Sequence, residues 1–136
     1  MPQKALSRVY PMKHVNKEKK GSNGVPLSGF CPRFHRAVEL VGRRWTGAVI
    51  RSLLSGRRRF NEIAEQVPGI SDRLLAERLR ELEETGIVKR DVECGPPVRV
   101  SYTLTQAGTE LDGTVRALAT WAERWMSASP RSRKRA

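Results

Sequence analysis

Residues 60–86 read FNEIAEQVPGISDRLLAERLRELEETG and contain two amphipathic segments separated by a tight turn. In the first segment, apolar residues recur at i, i+3, i+4 and i+7 from Phe60 to Val67. This spacing predicts a short helix with one apolar face. Pro68-Gly69, a strong turn signal, ends that helix.

The segment after the turn has the features of a second, longer helix. Ser71 stands at the N-cap position, and Asp72 follows where a negative charge favours the helix dipole. Gly86 ends the segment. The inner face is defined by Leu75, Leu79 and Leu82. Residues 71–85 are therefore predicted to form a helix that leucines hold to the body of the protein.

The period changes from helical to alternating after Gly86. Residues 98–104 alternate between apolar and polar, which predicts a half-buried strand. The apolar members are Val98, Val100, Tyr102 and Leu104, and the polar members are Arg99, Ser101 and Thr103. Residues 88–92 are the predicted partner strand, and the turn-rich sequence between them is Glu93-Cys94-Gly95-Pro96-Pro97. The sequence predicts a β-hairpin with a loop longer than two residues.

Three more helices are predicted, two before these segments and one after them. The first runs from Pro32 to Gly42, and the second covers about Trp45 to Leu54. The apolar stripe of the first consists of Phe34, Ala37, Val38 and Val41. The last helix runs from a cap at Thr105 to about Ala128, with apolar residues at heptad-like spacing.

The order of these elements predicts the fold class. Helix, helix, short helix, turn, helix, hairpin and helix make a mainly α fold with a small β-hairpin, of the α+β class. Two helices joined by a tight turn form a helix-turn-helix, and the hairpin after it is the wing. We therefore expect a winged helix-turn-helix with an added N-terminal helix and a C-terminal dimerisation helix, whose partner is double-stranded DNA.

The predicted DNA-reading surface is the side of the second helix that lies opposite its leucines. Its members are Ser71, Asp72, Arg73, Ala76, Glu77 and Arg80. Arginine binds guanine edges or phosphates, and a small alanine allows contact with a thymine methyl group. The alternative is an ordinary solvated face, since surface helices carry such residues. The flanking turn and hairpin favour a recognition helix.

Further DNA contacts are predicted from Arg57-Arg58-Arg59 and from the wing residues Pro97 and Arg99. Three bases at the start of a helix oppose its dipole, so phosphate binding explains them better than helix stabilisation does. The alternative is that these three arginines lie in a solvated loop and bind no partner.

The predicted dimerisation surface lies on the last helix. It consists of Leu111, Val115, Leu118, Trp121, Ala122 and Trp125. This stripe exceeds what a small domain needs to dock one helix. Use of the same residues in the intramolecular core is the alternative, since small cores need every large apolar side chain.

The net charge of +12 is concentrated at the two ends of the chain. Residues 1–30, at +5, are predicted to be a flexible basic arm, and residues 130–136, at +4, a basic disordered tail. Residues 31–129, at +3, form the predicted domain. Basic ends attract polyanions such as nucleic acids, and a solubilising role is the alternative.

The sequence lacks the signatures of membrane proteins, enzymes and metal proteins. No run approaches the roughly 18 apolar residues of a membrane span, and no secretory signal is present, so we expect a cytoplasmic protein. No G-x-S-x-G, P-loop or H-E-x-x-H motif occurs, and Glu81, Glu83 and Glu84 are predicted to serve solubility. Two cysteines and two histidines cannot build a four-ligand zinc site, so no metal or cofactor is expected.

Several motifs together match one known family. They are Cys31-Pro32, Gly42-Arg43-Arg44-Trp45-Thr46, Arg59-Phe60-Asn61-Glu62-Ile63, Gly69-Ile70-Ser71, Leu75 through Leu82, Glu83 through Arg90, and Val100 through Gly108. Through them, residues 31 to about 125 resemble the HxlR-type transcriptional regulators, a branch of the winged helix proteins related to the MarR-like repressors. The resemblance implies a homodimer whose terminal helices pack together and place two recognition helices on a pseudo-palindromic operator.

The resemblance also implies that Cys31 is a candidate redox- or electrophile-sensing thiol. Cys31 lies beside a helix N-terminus, whose dipole lowers a thiol pKa. A packing role is the alternative, and Cys94 is expected to be a spectator. Regulation of DNA binding by a small-molecule effector is kept as a further alternative. Two rival functions also stay open: a general basic nucleic-acid-binding protein, architectural or ribosome-associated, and a winged helix that binds only proteins or ligands.

Overall fold

A computed structural model describes residues 29–126, which form six helices and three strands. In chain order these are α1 (Pro32–Val41), α2 (Thr46–Leu53), β1 (Arg58–Arg59), α3 (Phe60–Gln66), α4 (Asp72–Glu84), β2 (Val88–Glu93), β3 (Arg99–Leu104), α5 (Gln106–Thr109) and α6 (Asp112–Trp125). The predicted winged helix-turn-helix of the α+β class is confirmed, with α3 and α4 as the helix pair. The predicted arm and tail lie outside the described residues, except for Gly29 and Phe30.

The core lies between α2, α3, α4 and the start of β2. Its fully buried members are Val49, Ile50, Leu53, Ile63, Val67, Leu75, Leu79, Leu82, Ile87 and Val88. The helical spacing of Leu75, Leu79 and Leu82 in α4 brings these three leucines to this one side, as the sequence predicts. The core therefore fixes which side of α4 is left for other partners.

The wing is a three-stranded sheet in which β3 is the central strand. The hairpin of β2 and β3 pairs from Val88 opposite Leu104 to Glu93 opposite Arg99. The strand β1 is an addition that the sequence did not indicate, because a run of two residues is too short to show alternation. It pairs with Ser101 and Tyr102 on the far edge of β3.

The predicted alternation along β3 is wrong at two positions. Ser101, assigned to the polar side, is the only buried residue of the strand, because it lies between Arg59 of β1 and Asp91 of β2. Val98, assigned to the apolar side, precedes the strand and is exposed. Ser101 therefore has a neighbour on each edge of β3, and the neighbour on β1 comes from a distant part of the sequence.

The single helix predicted from Thr105 to Ala128 is instead two helices, and the residues after Met126 lie outside the described range. The Thr105 hydroxyl accepts from the Gly108 N–H and donates to the carbonyl oxygens of Gly86 and Ile87, which lie between α4 and β2. The start of α5 is therefore fixed to the sheet. A Cβ at Gly108 would overlap the Ile87 carbonyl oxygen, which shows how closely the two segments approach. Glu110 and Leu111 separate α5 from α6 and keep backbone dihedrals in the right-handed helical region.

Candidate nucleic-acid interface

The helix α4 begins at an N-cap that its sequence specifies. The Ser71 hydroxyl accepts from the Leu74 N–H at 3.1 Å, and Asp72 places a carboxylate in the first turn. Both groups satisfy or complement the unpaired N–H groups of the helix end. The cap therefore defines where α4 starts, directly after the turn that follows α3.

The turn itself depends on Gly69. Its φ of +96° lies in the left-handed region, where a residue with a side chain is strained. A Cβ there would also lie 3.3 Å from the Cη2 atom of Trp45, so the indole already occupies the adjoining space. The turn between the two helices is consequently packed from outside as well as being bent by its own sequence.

The polar side of α4 is open, as the sequence predicts. Arg73, Ala76 and Arg80 are exposed, and the Arg73 side chain reaches 90% exposure. Glu77 is half-buried, and one of its carboxylate oxygens lies 3.5 Å from the Nε of Arg73. At that exposure the ion pair contributes little, so Arg73 is free to exchange it for a partner of higher negative charge.

The three arginines before α3 have different surroundings. The Arg57 guanidinium lies 3.4 Å from Asp91 and 3.5 Å from Glu93, across the sheet on β2. Arg58 donates to the Ser52 carbonyl oxygen at 2.9 Å and to the Ser55 hydroxyl at 2.6 Å.

Arg59 differs from its two neighbours because it is exposed and has no side-chain hydrogen bond or ion pair within residues 29–126. Its guanidinium is the most available of the triplet. At the wing, Pro97 and Arg99 are also exposed, so the loop end of the hairpin projects into solvent.

Arg78 is a buried arginine that the sequence reading missed. Its Nε donates to the Arg44 carbonyl oxygen at 2.9 Å, and its Nη1 lies 3.2 Å from Glu81 Oε1. Arg78 is the third residue after Leu75 and the fourth before Leu82. The helical period that places those leucines on the inner side therefore also predicts that Arg78 lies there.

The expectation that Glu81 serves solubility is wrong. The side chain is only 16% exposed and also pairs with Arg43 Nη1 at 2.8 Å. Its helical position at the edge of the buried side places it beside two guanidinium groups. Glu81 is therefore a structural acid, unlike the exposed Glu83.

The stripe predicted on the last helix divides into two parts. Leu111 and Val115 pack against the core of the same chain, which is the intramolecular alternative. Leu118, Trp121 and Trp125 are more than half exposed, and Ala122 is half-buried. Only the second half of the stripe is thus available to another molecule.

A second set of exposed apolar side chains lies at the other end of the described chain. α1 has the predicted bounds, but none of its residues is buried. Phe30, Phe34 and Val38 remain exposed, so most of its apolar stripe does not contribute to the core. Exposed apolar surface of this size on a small domain indicates a contact with a partner.

Cys31 is the N-cap residue of α1 and is partly exposed. The backbone N–H groups of Phe34 and Arg33 lower the pKa of the Cys31 thiol because they stabilise the thiolate, and the charges of Arg33 and Arg36 add to this. Cys94 is exposed in the loop of the wing. The two thiols therefore differ in their surroundings.

The described part of the chain holds no group of three or more His, Cys, Asp and Glu side chains placed to bind a metal ion. None of its helices has the length and apolar character needed to cross a membrane.

Comparison with known proteins matches the region that contains the helix-turn-helix, the wing and α6. A family described as HxlR-like helix-turn-helix matches residues 40–130. The HTH-type transcriptional regulator YodB of Bacillus subtilis is 45% identical over 95 residues, which cover 70% of this chain and 85% of YodB. An uncharacterized HTH-type transcriptional regulator of the same organism, YvaP, is 43% identical over 102 residues, covering 75% of this chain and 94% of YvaP.

Solved structures of similar proteins share the fold. The reduced form of B. subtilis YodB superposes with a TM-score of 0.65 at 42% identity, covering 74% of this chain and 99% of that one. Quinone-bound YodB gives 0.61 at 43% identity, covering 70% and 100%. The oxidised form of the redox regulator HypR gives 0.65 at 36% identity, covering 69% and 96%.

Proposed function

The chain belongs to the HxlR-like helix-turn-helix family of transcriptional regulators, and on that premise we propose that it binds duplex DNA sequence-specifically as a homodimer. The observation that carries the proposal is the exposed polar side of α4, opposite a fully buried leucine side. A helix held in this way presents its arginines to base edges in a major groove. We propose no enzymatic activity.

Each part of the surface has its own role in this proposal. Arg73 and Arg80 contact base edges, with Ser71, Asp72, Ala76 and Glu77 lining the same side of the helix. Arg59 and Arg99 contact phosphates, and Pro97 approaches the backbone with the wing. Arg57 and Arg58 are weaker phosphate contacts, because they would have to give up hydrogen bonds or ion pairs within the protein.

We propose that the homodimer forms through the exposed apolar side chains of α1 and α6. Leu118, Trp121 and Trp125 are large apolar groups in contact with water, and covering them is favourable. A two-fold axis through this surface would place two α4 helices on half-sites one helical turn apart, ~34–36 Å, or a multiple of that distance. The operator is then pseudo-palindromic.

We also propose that Cys31 makes DNA binding responsive to oxidants or electrophiles. The support is the position of the thiol at the start of α1, its lowered pKa, and the quinone-bound and oxidised structures of similar regulators. With a quinone, the Cys31 thiolate forms a carbon–sulfur bond to a ring carbon, and the displaced electron pair moves to a carbonyl oxygen. That oxygen takes a proton from water. The ring proton beside the new bond then passes through solvent to the second carbonyl oxygen, which leaves a hydroquinone thioether.

Selection of random duplexes with the purified protein at physiological salt tests the DNA-binding proposal. We expect a palindromic sequence that is bound at least ~10³-fold more tightly than random duplex. Equal recovery of all sequences would instead favour a general basic nucleic-acid-binding protein, which needs only phosphate contacts.

The redox proposal is tested on the selected duplex with Cys31→Ser and the matched control Cys94→Ser. Quinone should release DNA from wild type and Cys94→Ser but leave the Cys31→Ser complex intact. Normal release from Cys31→Ser would refute the role of that thiol.

A further inference from the structure

The loop of residues 42–45, which joins α1 to α2, has a constrained backbone. Trp45 has a φ of +73° and is the only non-glycine residue between 29 and 126 with a positive φ. A left-handed tryptophan persists only where its surroundings hold it. The loop is closed by a hydrogen bond from the Thr46 N–H to the Arg43 carbonyl oxygen at 3.0 Å, and Thr46 itself is buried.

Contacts from this loop reach along the recognition helix. The Trp45 indole packs on Gly69 in the turn before α4, and the Arg44 carbonyl oxygen accepts from Arg78. One turn further on, Arg43 pairs with Glu81 at 2.8 Å. These contacts hold the turn before α4 at Gly69 and one turn in the second half of the helix, so the loop constrains the orientation of α4 as well as its position.

The pairing of Arg78 with Glu81 is shielded from water. The side chains are 8% and 16% exposed, and Arg78 uses different nitrogens for the carbonyl oxygen and the carboxylate. A guanidinium suits this fork, whereas a lysine ammonium has no equivalent geometry. Removing Glu81 leaves the buried Arg78 guanidinium without its carboxylate, whereas Glu81 keeps Arg43 as a partner if Arg78 is removed.

The helix before the loop is weakly attached to its own domain. No residue of α1 is buried, and its attachment includes Leu40, which packs against the core near the C-terminal end. The N-terminal end carries exposed Phe30 and Phe34. Residues 42–45 join α1 to the rest of the fold, so they are where a displacement of that end relative to the core would reach the contacts with α4.

We infer that the 42–45 loop is a pivot, and that Arg78 and Glu81 are positioning residues that transmit displacements of α1 to the recognition helix. Neither residue contacts DNA in this scheme, because Arg78 is buried and the Glu81 carboxylate pairs with Arg78 and Arg43 at the edge of the buried side. The regulatory consequence rests on the proposed function, in which events at Cys31 or at the dimer surface alter DNA binding. The transmission of a displacement from α1 to α4 does not depend on the proposed function.

The first test needs no DNA. In a Cys94→Ser background, N-ethylmaleimide attaches a bulky group to Cys31 at the free end of α1, and amide hydrogen exchange is followed in residues 72–84. We expect the modification of Cys31 to change the amide exchange rates of residues 72–84 by about tenfold. Glu81→Gln should abolish that change, whereas Glu83→Gln, which removes the same charge from an exposed position of the same helix, should preserve it.

A milder variant keeps the test decisive if Glu81→Gln does not fold. Arg43→Gln removes a half-exposed side chain and its pairing with Glu81 but leaves the pairing of Arg78 with Glu81 in place. The response of residues 72–84 should fall in this variant too. An unchanged response in Arg43→Gln, or no response in the Cys94→Ser parent, would overturn the inference.

The second test uses the duplex selected by wild type and a scrambled duplex, at a temperature where each variant is folded. Arg78→Lys should weaken binding to the selected duplex about tenfold and leave the scrambled duplex unaffected. Equal affinity of Arg78→Lys and wild type for the selected duplex would count against the positioning role. If wild type prefers no duplex, the DNA-binding proposal fails, and the exchange experiment still decides the coupling.

Discussion

Truncation of Trp125 is expected to weaken self-association of the chain. The residue is 67% exposed near the end of α6, beside the exposed Trp121 and Leu118. A tryptophan buries on the order of 150–250 Å² when it is fully covered, so at least ~100 Å² of this one remains in water. A dimer that covers it removes this area twice, because a two-fold interface contains each residue two times.

The size of the effect follows from that area. At ~25 cal/mol per Å², covering ~200 Å² across the dimer stabilises it by ~5 kcal/mol. Part of that gain is offset by side-chain ordering and imperfect packing, so about half of it is a sounder expectation. A loss of ~2.5 kcal/mol raises the dimer dissociation constant about 60-fold.

Sedimentation velocity over a range of protein concentrations measures that constant. The matched control is Val98→Ala, which shortens an equally exposed apolar residue on the wing, away from α6. Wild type and Val98→Ala should dimerise alike, and Trp125→Ala should dissociate at higher concentration. A monomeric wild type at concentrations that saturate DNA, or a Trp125→Ala dimer as tight as wild type, would refute the assignment of this surface.

Three further predictions concern the core, the phosphate contacts and the thiol. Leu79→Ala should lower the free energy of unfolding in urea by ~2–5 kcal/mol, because Leu79 is fully buried, and a loss below ~1 kcal/mol would contradict its place in the core. Arg59→Ala should reduce the salt dependence of DNA binding by the slope of about one phosphate, while its affinity should fall similarly on all sequences. Cys31 should react with iodoacetamide to a lower pH than free cysteine does, because its lowered pKa keeps the thiolate populated as pH falls, and a profile matching free cysteine would contradict this.

The recognition helix and hairpin were predictable because local sequence determines them. The leucines of α4 repeat with the helical period, Ser71 supplies the cap, and the strand partners are joined by a short turn-rich loop. Each of these signals acts within a few residues, so no knowledge of the rest of the chain was needed.

The features that escaped prediction depend on distant residues. Ser101 pairs with Arg59 of β1, more than 40 positions earlier in the chain, and Gly108 lies against the Ile87 carbonyl oxygen, which belongs to a separate segment. The period of α4 places Arg78 on the inner side, but its partner Arg44, whose carbonyl oxygen accepts from Nε, lies in the 42–45 loop and could not be identified from spacing. Periodicity also assigned the whole α6 stripe to one surface, although the fold uses Val115 internally and leaves Trp125 exposed.

The role of the open side of α4 is tested most directly by comparing the sequences that wild type, Arg73→Ala and Arg80→Ala select from random duplexes. If these arginines read bases, each variant should lose preference at its own base position in both half-sites, related by the two-fold symmetry of the operator, at a cost of ~1–3 kcal/mol per lost contact. An identical selected sequence for wild type and both variants would show that this side of the helix does not read DNA.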